Sequence, residues 1–193
     1  MARTKAFDEQ EVLQKAIELF WKQGYHATSI QDLVDHLGIN RASLYDTYGG
    51  KEELFDKAFL QYRTSNFKKI GEFLNGFDSV REGLFQLLKK NVDDTILDPE
   101  KKGCFVVNAT TSMSPGDQKM LAILNENKSK IESIFYDFLK RGVENGEISP
   151  DKNIKTIASF IYSTIAGIKV MSKIDTDTKS QYEMIRTALS VLD

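Results

Sequence analysis

Apolar residues recur every three or four positions along most of this chain, the pattern of helices that bury one face. Val12, Ala16, Ile17, Leu19 and Phe20 form the first stripe and predict a helix from about Asp8 to Gln23. Acidic residues stand at its start, where the helix dipole favours them, and Gly24 ends it. Ile30, Leu33, Val34 and Leu37 form the second stripe. Thr28 or Ser29 can cap that helix, Gly38 can supply the left-handed turn after it, and Asn40 can cap a short third helix. There Ile39 and Leu44 anchor the inner side and leave Arg41, Ala42, Ser43 and Tyr45 facing outward. Helix, glycine turn and short exposed helix make a helix-turn-helix, a unit whose second helix enters the DNA major groove.

The same period continues downstream. A long helix starts near Lys51, carries Leu54, Phe55, Ala58, Phe59, Tyr62, Phe67, Ile70, Phe73 and Leu74, and breaks at Asn75-Gly76. Ser79 caps the next, with Val80, Leu84, Phe85, Leu87 and Leu88 inward, and Asp98-Pro99 opens a loop. The segment GCFVVNATTS, residues 103–112, has strand-like composition but no partner strands, so it reads as a buried helix. Ser114-Pro115 opens a long helix to about Gly142, Ser149-Pro150-Asp151 opens another to about Ser172, and Asp177 or Thr178 begins the last, ending near Val191. The chain is therefore expected to be all-α.

Composition narrows the class without naming a partner. The 193 residues are 41% hydrophobic and 28% charged, as in an ordinary globular protein, and the net charge is -2. From Met1 to Lys51 six Lys and Arg face seven Asp and Glu, so the head is not basic in bulk, although phosphate neutralisation dominates DNA affinity. Local placement supports DNA binding instead: Arg3 and Lys5 in a tail, Arg41 on the third helix, Lys51 at the next helix start. The non-basic head also leaves open a helical ligand-binding or adaptor protein that no longer binds DNA.

A single cysteine, Cys104, suits a reducing cytoplasm. The N-terminus shows no signal peptide, and the apolar run Thr156 to Ile168 is too short to span a bilayer, so a cytoplasmic location without membrane contact is expected. His26 and His36 stand ten apart, which fits no zinc pattern, and no phosphate loop or nucleophile elbow stands out. No metal, cofactor or enzymatic activity is expected.

Residues 12 to 55 resemble the TetR/AcrR family of transcriptional regulators without a gap. Leu19, Phe20, Gly24, Tyr25, Thr28 and Ser29 match the pattern that ends the family's first helix, and Leu44, Tyr45, Tyr48 and Lys51 match the end of its recognition helix. Leu37-Gly38, Asn40 and Ala42 stand where Ala-Gly, Ser and Gly are more common. The resemblance implies an N-terminal three-helix helix-turn-helix head (residues 1–50) joined by a long helix to a C-terminal helical ligand-binding and dimerisation domain (51–193). It implies a homodimer on double-stranded DNA with a palindromic operator, and a repressor that a small-molecule effector releases. Arg41, Ala42 and Ser43 would read bases, with Asn40 at the helix cap, while Thr28, Tyr45, Tyr48 and Lys51 would hold phosphates.

Residues 153–172 are apolar nearly all round, where an outer helix needs one stripe. A central helix of a monomer is one explanation; the family's pairing of its last two helices is the other, and it places Ile157, Ile161, Ile165, Met184, Ile185 and Leu189 at a dimer interface. The resemblance also places an effector cavity among the middle helices. Polar residues against apolar walls mark such cavities, which makes Tyr62, Asn108, Thr111, Tyr136, Tyr162 and Thr164 candidates. Cys104 joins them either as an inert buried thiol or, with Lys101, Lys102, Lys169 or Lys173 nearby, as a sensor of oxidants or electrophiles.

Overall fold

The computed structural model describes residues 7–193, so Arg3 and Lys5 lie outside the described residues. Among those residues there are nine α-helices and no strand. They divide into two compact units, Met1–Thr64 and Ser65–Asp193. The first holds α1 (Glu9–Gln23), α2 (Ile30–Leu37), α3 (Arg41–Tyr48) and the first half of α4 (Lys51–Asn75). Phe55 and Phe59 of α4 stack at 5.4 Å, and Phe55 meets the edges of Phe20 and Tyr25 at 5.2 and 4.9 Å. This aromatic cluster ties the start of α4 to the head, so the unit runs past the expected break after residue 50 to Thr64.

Local chemistry sets the helix ends. Asp8 caps α1 through the amides of Gln10 and Glu11. Ser29, not Thr28, caps α2, and Asp32 completes a reciprocal capping box by accepting from the Ser29 amide at 2.8 Å. Gly38 closes α2 at φ 69°, a left-handed conformation that residues with a Cβ rarely adopt.

The second unit contains the rest of α4, then α5 (Val80–Leu97), α6 (Phe105–Ser112), α7 (Gln118–Glu144), α8 (Ile154–Met171), α9 (Thr178–Leu189) and a final 3-10 turn, Ser190–Leu192. The segment expected to be a buried helix is helical from Phe105 to Ser112, with Phe105 and Val106 buried but Thr110, Thr111 and Ser112 exposed. Two starts fall later than the prolines suggest: Asp117 caps α7 and Asn153 caps α8. The helices begin where a side chain satisfies first-turn amides, a few residues beyond each Ser-Pro pair. The core is one cluster of Leu84, Leu88, Phe135, Leu139, Ile161 and Ile185 with their neighbours. Gly83 lets α7 come close, since a Cβ there would stand 2.6 Å from the Phe138 ring. Glu147 reaches back to the start of α5 and accepts from the Ser79 hydroxyl and the Val80 and Arg81 amides at 2.7 to 2.8 Å.

Packing corrects the expected dimer residues. Ile157, Ile161, Ile185 and Leu189 are 0–4% exposed and belong to the core of one chain, with Ile165 packed against it. α8 packs on α7 and α5, and α5 packs on α9, which uses up the stripe assigned to a partner. By length and composition α8 could cross a membrane, because the helix is longer than the run 156–168; one of its faces packs against α5 and α7. The other face of α8 and α9 carries the open apolar surface. Phe160, Met171 and Met184 are 42, 52 and 41% exposed there, along a groove of about 590 Å³ that Thr164, Gly167 and Ala188 also line.

Candidate functional site

The head presents α3 as a short helix fixed from beneath. Leu44 is fully buried, Ile39 and Tyr48 nearly so, while Arg41, Ala42 and Tyr45 are exposed and Ser43 is half-buried. Asn40 caps the helix, its Oδ1 accepting from the Ser43 amide at 2.8 Å, which leaves Nδ2 as its remaining donor. One exposed strip on a buried anchor is the geometry of a groove-reading helix, with base-contacting side chains near its N-terminus. Asp46, absent from the sequence reading, is exposed one turn beyond Ala42 on the same strip; its place at i+4 is the signal that would have found it. A carboxylate there suits the amino group of cytosine rather than a phosphate.

Gly49 and Gly50 both have positive φ, 92° and 149°, and are the two residues that separate the end of α3 from the start of α4. That places Lys51 in the first turn of α4, where backbone amides also favour an anion. Its ammonium lies 4.4 Å from the centre of the Tyr25 ring. Burial lowers the Lys51 pKa from the ordinary lysine value, against the pull of Asp32. A cation seated on an aromatic face has lost freedom in advance, so holding a phosphate costs it less entropy.

Two of the residues assigned to phosphates are placed otherwise. Tyr48 is 4% exposed, and its hydroxyl donates to the Glu9 carbonyl at 3.1 Å, tying α3 to α1. Thr28 is 1% exposed, and its hydroxyl donates to the Gly24 carbonyl at 2.7 Å. Both hydroxyls serve the head's own packing, which takes them out of the phosphate set.

The seven effector candidates scatter. Tyr62 lies in the N-terminal unit, edge-on to Trp21 at 5.1 Å. Thr111 and Tyr136 are exposed, the Thr111 hydroxyl donating to its own helix; Thr164 lines the outer groove of α8 and α9. Cys104, Asn108 and Tyr162 remain, on α8 and on α6 and its cap. The Asn108 amide donates to the Lys102 carbonyl at 2.8 Å and its oxygen accepts from Lys173 at 3.1 Å. Tyr162 accepts from Asn127 at 3.3 Å, and burial raises its pKa above the ordinary tyrosine value. Asn127, 2% exposed, was missed in the sequence. It sits three residues after Leu124 and four before Ile131, both buried, and a polar residue inside such a stripe is the signal that would have found it. The Lys169 ammonium comes to the same region from α8, meeting the Asn91 carbonyl and Thr95 hydroxyl of α5 at 3.3 Å each.

A helix-turn-helix head with an exposed recognition strip, followed by a separate helical unit with its own core, defines a DNA-binding transcriptional regulator. The signature of bacterial regulatory proteins of the tetR family matches residues 12–58, and that of the tetracyclin repressor-like C-terminal domain matches residues 83–189. This chain belongs to the TetR family. It is 34% identical, over the whole of both chains, to the uncharacterized HTH-type transcriptional regulator YezE of Bacillus subtilis. It is 27% identical to the HTH-type transcriptional repressor ComR of Escherichia coli, covering 89% of this chain and 82% of that one. A cysteine-substituted variant of the TetR-family regulator CifR, complexed with 26-bp double-strand operator DNA, superposes with a TM-score of 0.88 at 27% identity over all of both chains.

Proposed function

We propose that this regulator is a cytoplasmic repressor, acting by binding rather than catalysis. It works as a homodimer that grips a palindromic operator through two copies of α3 and leaves it when a small molecule enters the C-terminal unit. The observation that carries the reading is the exposed strip of Arg41, Ala42 and Tyr45 above a buried Leu44. Arg41 pairs with guanine, Ala42 meets a thymine methyl, Ser43 serves either partner, and Tyr45 and Lys51 hold the backbone on each side. The relatives named as repressors and the CifR complex with operator DNA support the same reading.

Two-fold symmetry requires one surface to meet its own copy, and the apolar face of α8 and α9 around Phe160, Met171 and Met184 is suited to that. An effector that weakens operator binding must itself bind the operator complex more weakly, by the same factor. Selection from a random duplex library tests the whole: an inverted repeat with half-sites about one helical turn apart is expected. Recovery of no sequence, or of a single unrepeated site, would favour a helical ligand-binding or adaptor protein instead.

A further inference from the structure

Two charged side chains in the C-terminal unit are drawn from water with their charges poorly met, one on neutral acceptors alone and one by a single long ion pair. The Lys169 ammonium reaches from α8 to α5, where both acceptors are neutral and stand at 3.3 Å, the long end of hydrogen bonding. Among the described residues Lys169 has no ion-pair partner, whereas the more exposed Lys89, Lys90 and Lys102 on and after α5 are each paired with a carboxylate at 2.6 to 3.0 Å. Burial holds its pKa below the ordinary lysine value, against the pull of Cys104, Asp94 and Asp98. The second group is Glu132 on α7. One of its carboxylate oxygens is buried with no hydrogen-bond partner, and Lys128 stops 3.8 Å from it.

Tyr162 connects the two. It lies seven residues before Lys169 on α8, on the same face and about 10 Å along the axis. It feels both Cys104 and Glu132 electrostatically, and its hydroxyl already holds the Asn127 amide. Polar groups thus gather along α8, with a carboxylate held only by a long ion pair toward one end and an ammonium resting on neutral acceptors at the other. Buried charges left this way cost stability unless a bound molecule completes them, and a few convergent polar groups within apolar walls are what orient a ligand.

We propose that the effector is an anionic small molecule of the carboxylate class, with Lys169 receiving its charged head and Glu132 accepting from a donor at its other end. The inference rests on the effector-controlled reading above and adds the chemistry of the ligand.

The test is thermal denaturation of the full chain with benzoate, phenylacetate, para-hydroxyphenylacetate and octanoate, each beside its primary amide. At least one acid should raise the melting temperature in proportion to the logarithm of its concentration while its amide does not, and the hydroxylated acid should exceed phenylacetate. Lys169→Met should abolish that shift, and without ligand it should melt at or above the wild type because an uncompensated charge is gone. Lys169→Gln, which keeps a donor for Asn91 and Thr95, should lose the shift as well. No shift with any acid, equal shifts for acid and amide, or a response retained by both variants would overturn the proposal. So would a Lys169→Met protein melting well below the wild type, which would make Lys169 a structural donor. A response lost on Cys104→Ala but kept on Lys169→Gln would assign the site to the thiol and overturn it too. The readout involves no DNA, so its failure is separate from a failure of operator selection.

Discussion

Replacing Met184 by Glu separates the proposed dimer face from the core beneath it. Phe160, Met171 and Met184 are 42, 52 and 41% exposed in the single chain. Full burial of such side chains is worth about 1.5–3 kcal/mol each, so covering what remains open contributes about 1 kcal/mol apiece. A two-fold pair places six of them in the interface, or about 6 kcal/mol toward association. Met184→Glu forfeits about 2 kcal/mol of that across the pair and sets an unpaired carboxylate on each side of a drying surface, for a further 2–3 kcal/mol at least. The dimer dissociation constant should rise about 10³-fold or more, with each chain still folded. Ile161→Glu should behave differently: Ile161 is fully buried within one chain, so the charge should unfold the C-terminal unit rather than free a monomer. Sedimentation velocity over a concentration series, with circular dichroism on the same samples, reads both outcomes. A Met184→Glu protein that dimerises as tightly as the wild type, or an Ile161→Glu protein that is a folded monomer, would refute this assignment of faces.

In the head, Lys51→Ala should weaken binding to all duplexes alike and reduce the slope of log affinity against log salt by about one unit; a changed sequence preference at constant slope would move Lys51 to the bases. Tyr48→Phe should leave that slope alone and lower urea stability by about 1 kcal/mol, the worth of its bond to the Glu9 carbonyl. Glu147→Gln should destabilise at neutral pH in a way that fades with acid. Burial pushes the Glu147 carboxyl up, but the Arg81 amide, the Ser79 hydroxyl, the Val80 amide and the Arg81 charge together hold it below its ordinary 4.5. Its contribution is therefore present above the unfolded value and lost as pH falls through the lower folded one, so wild type and variant should converge there in urea melts. For Cys104, a mild electrophile such as iodoacetamide should leave the operator complexes of wild type and Cys104→Ser equally intact; release of the wild type alone would make the thiol a trigger.

The head was legible in the sequence because its geometry is made of local chemistry. Asp8, Ser29 and Asn40 satisfy amides two or three residues away, and Gly38 turns the chain at the position it occupies, so neighbours in sequence decide the outcome. The inward Leu44 and outward Arg41, Ala42 and Tyr45 follow from helical period alone. Period could not say what a nearly all-apolar helix buries against what. α8 offers an apolar surface on every side, and only its packing on α5 and α7 assigns Ile161 to the core and Phe160 to the outside. Tyr48 likewise looked like a recognition-helix hydroxyl until α1, thirty-nine residues away, took it. The polar strip along α8 draws on Asn91, Cys104, Asn127, Glu132, Tyr162 and Lys169, spread over four helices and their caps. Side chains so far apart in sequence become one site only when the helices pack. Local propensity therefore determined the elements and their caps, and the burial of one face against another decided which residues were left to meet DNA, a second copy or a ligand.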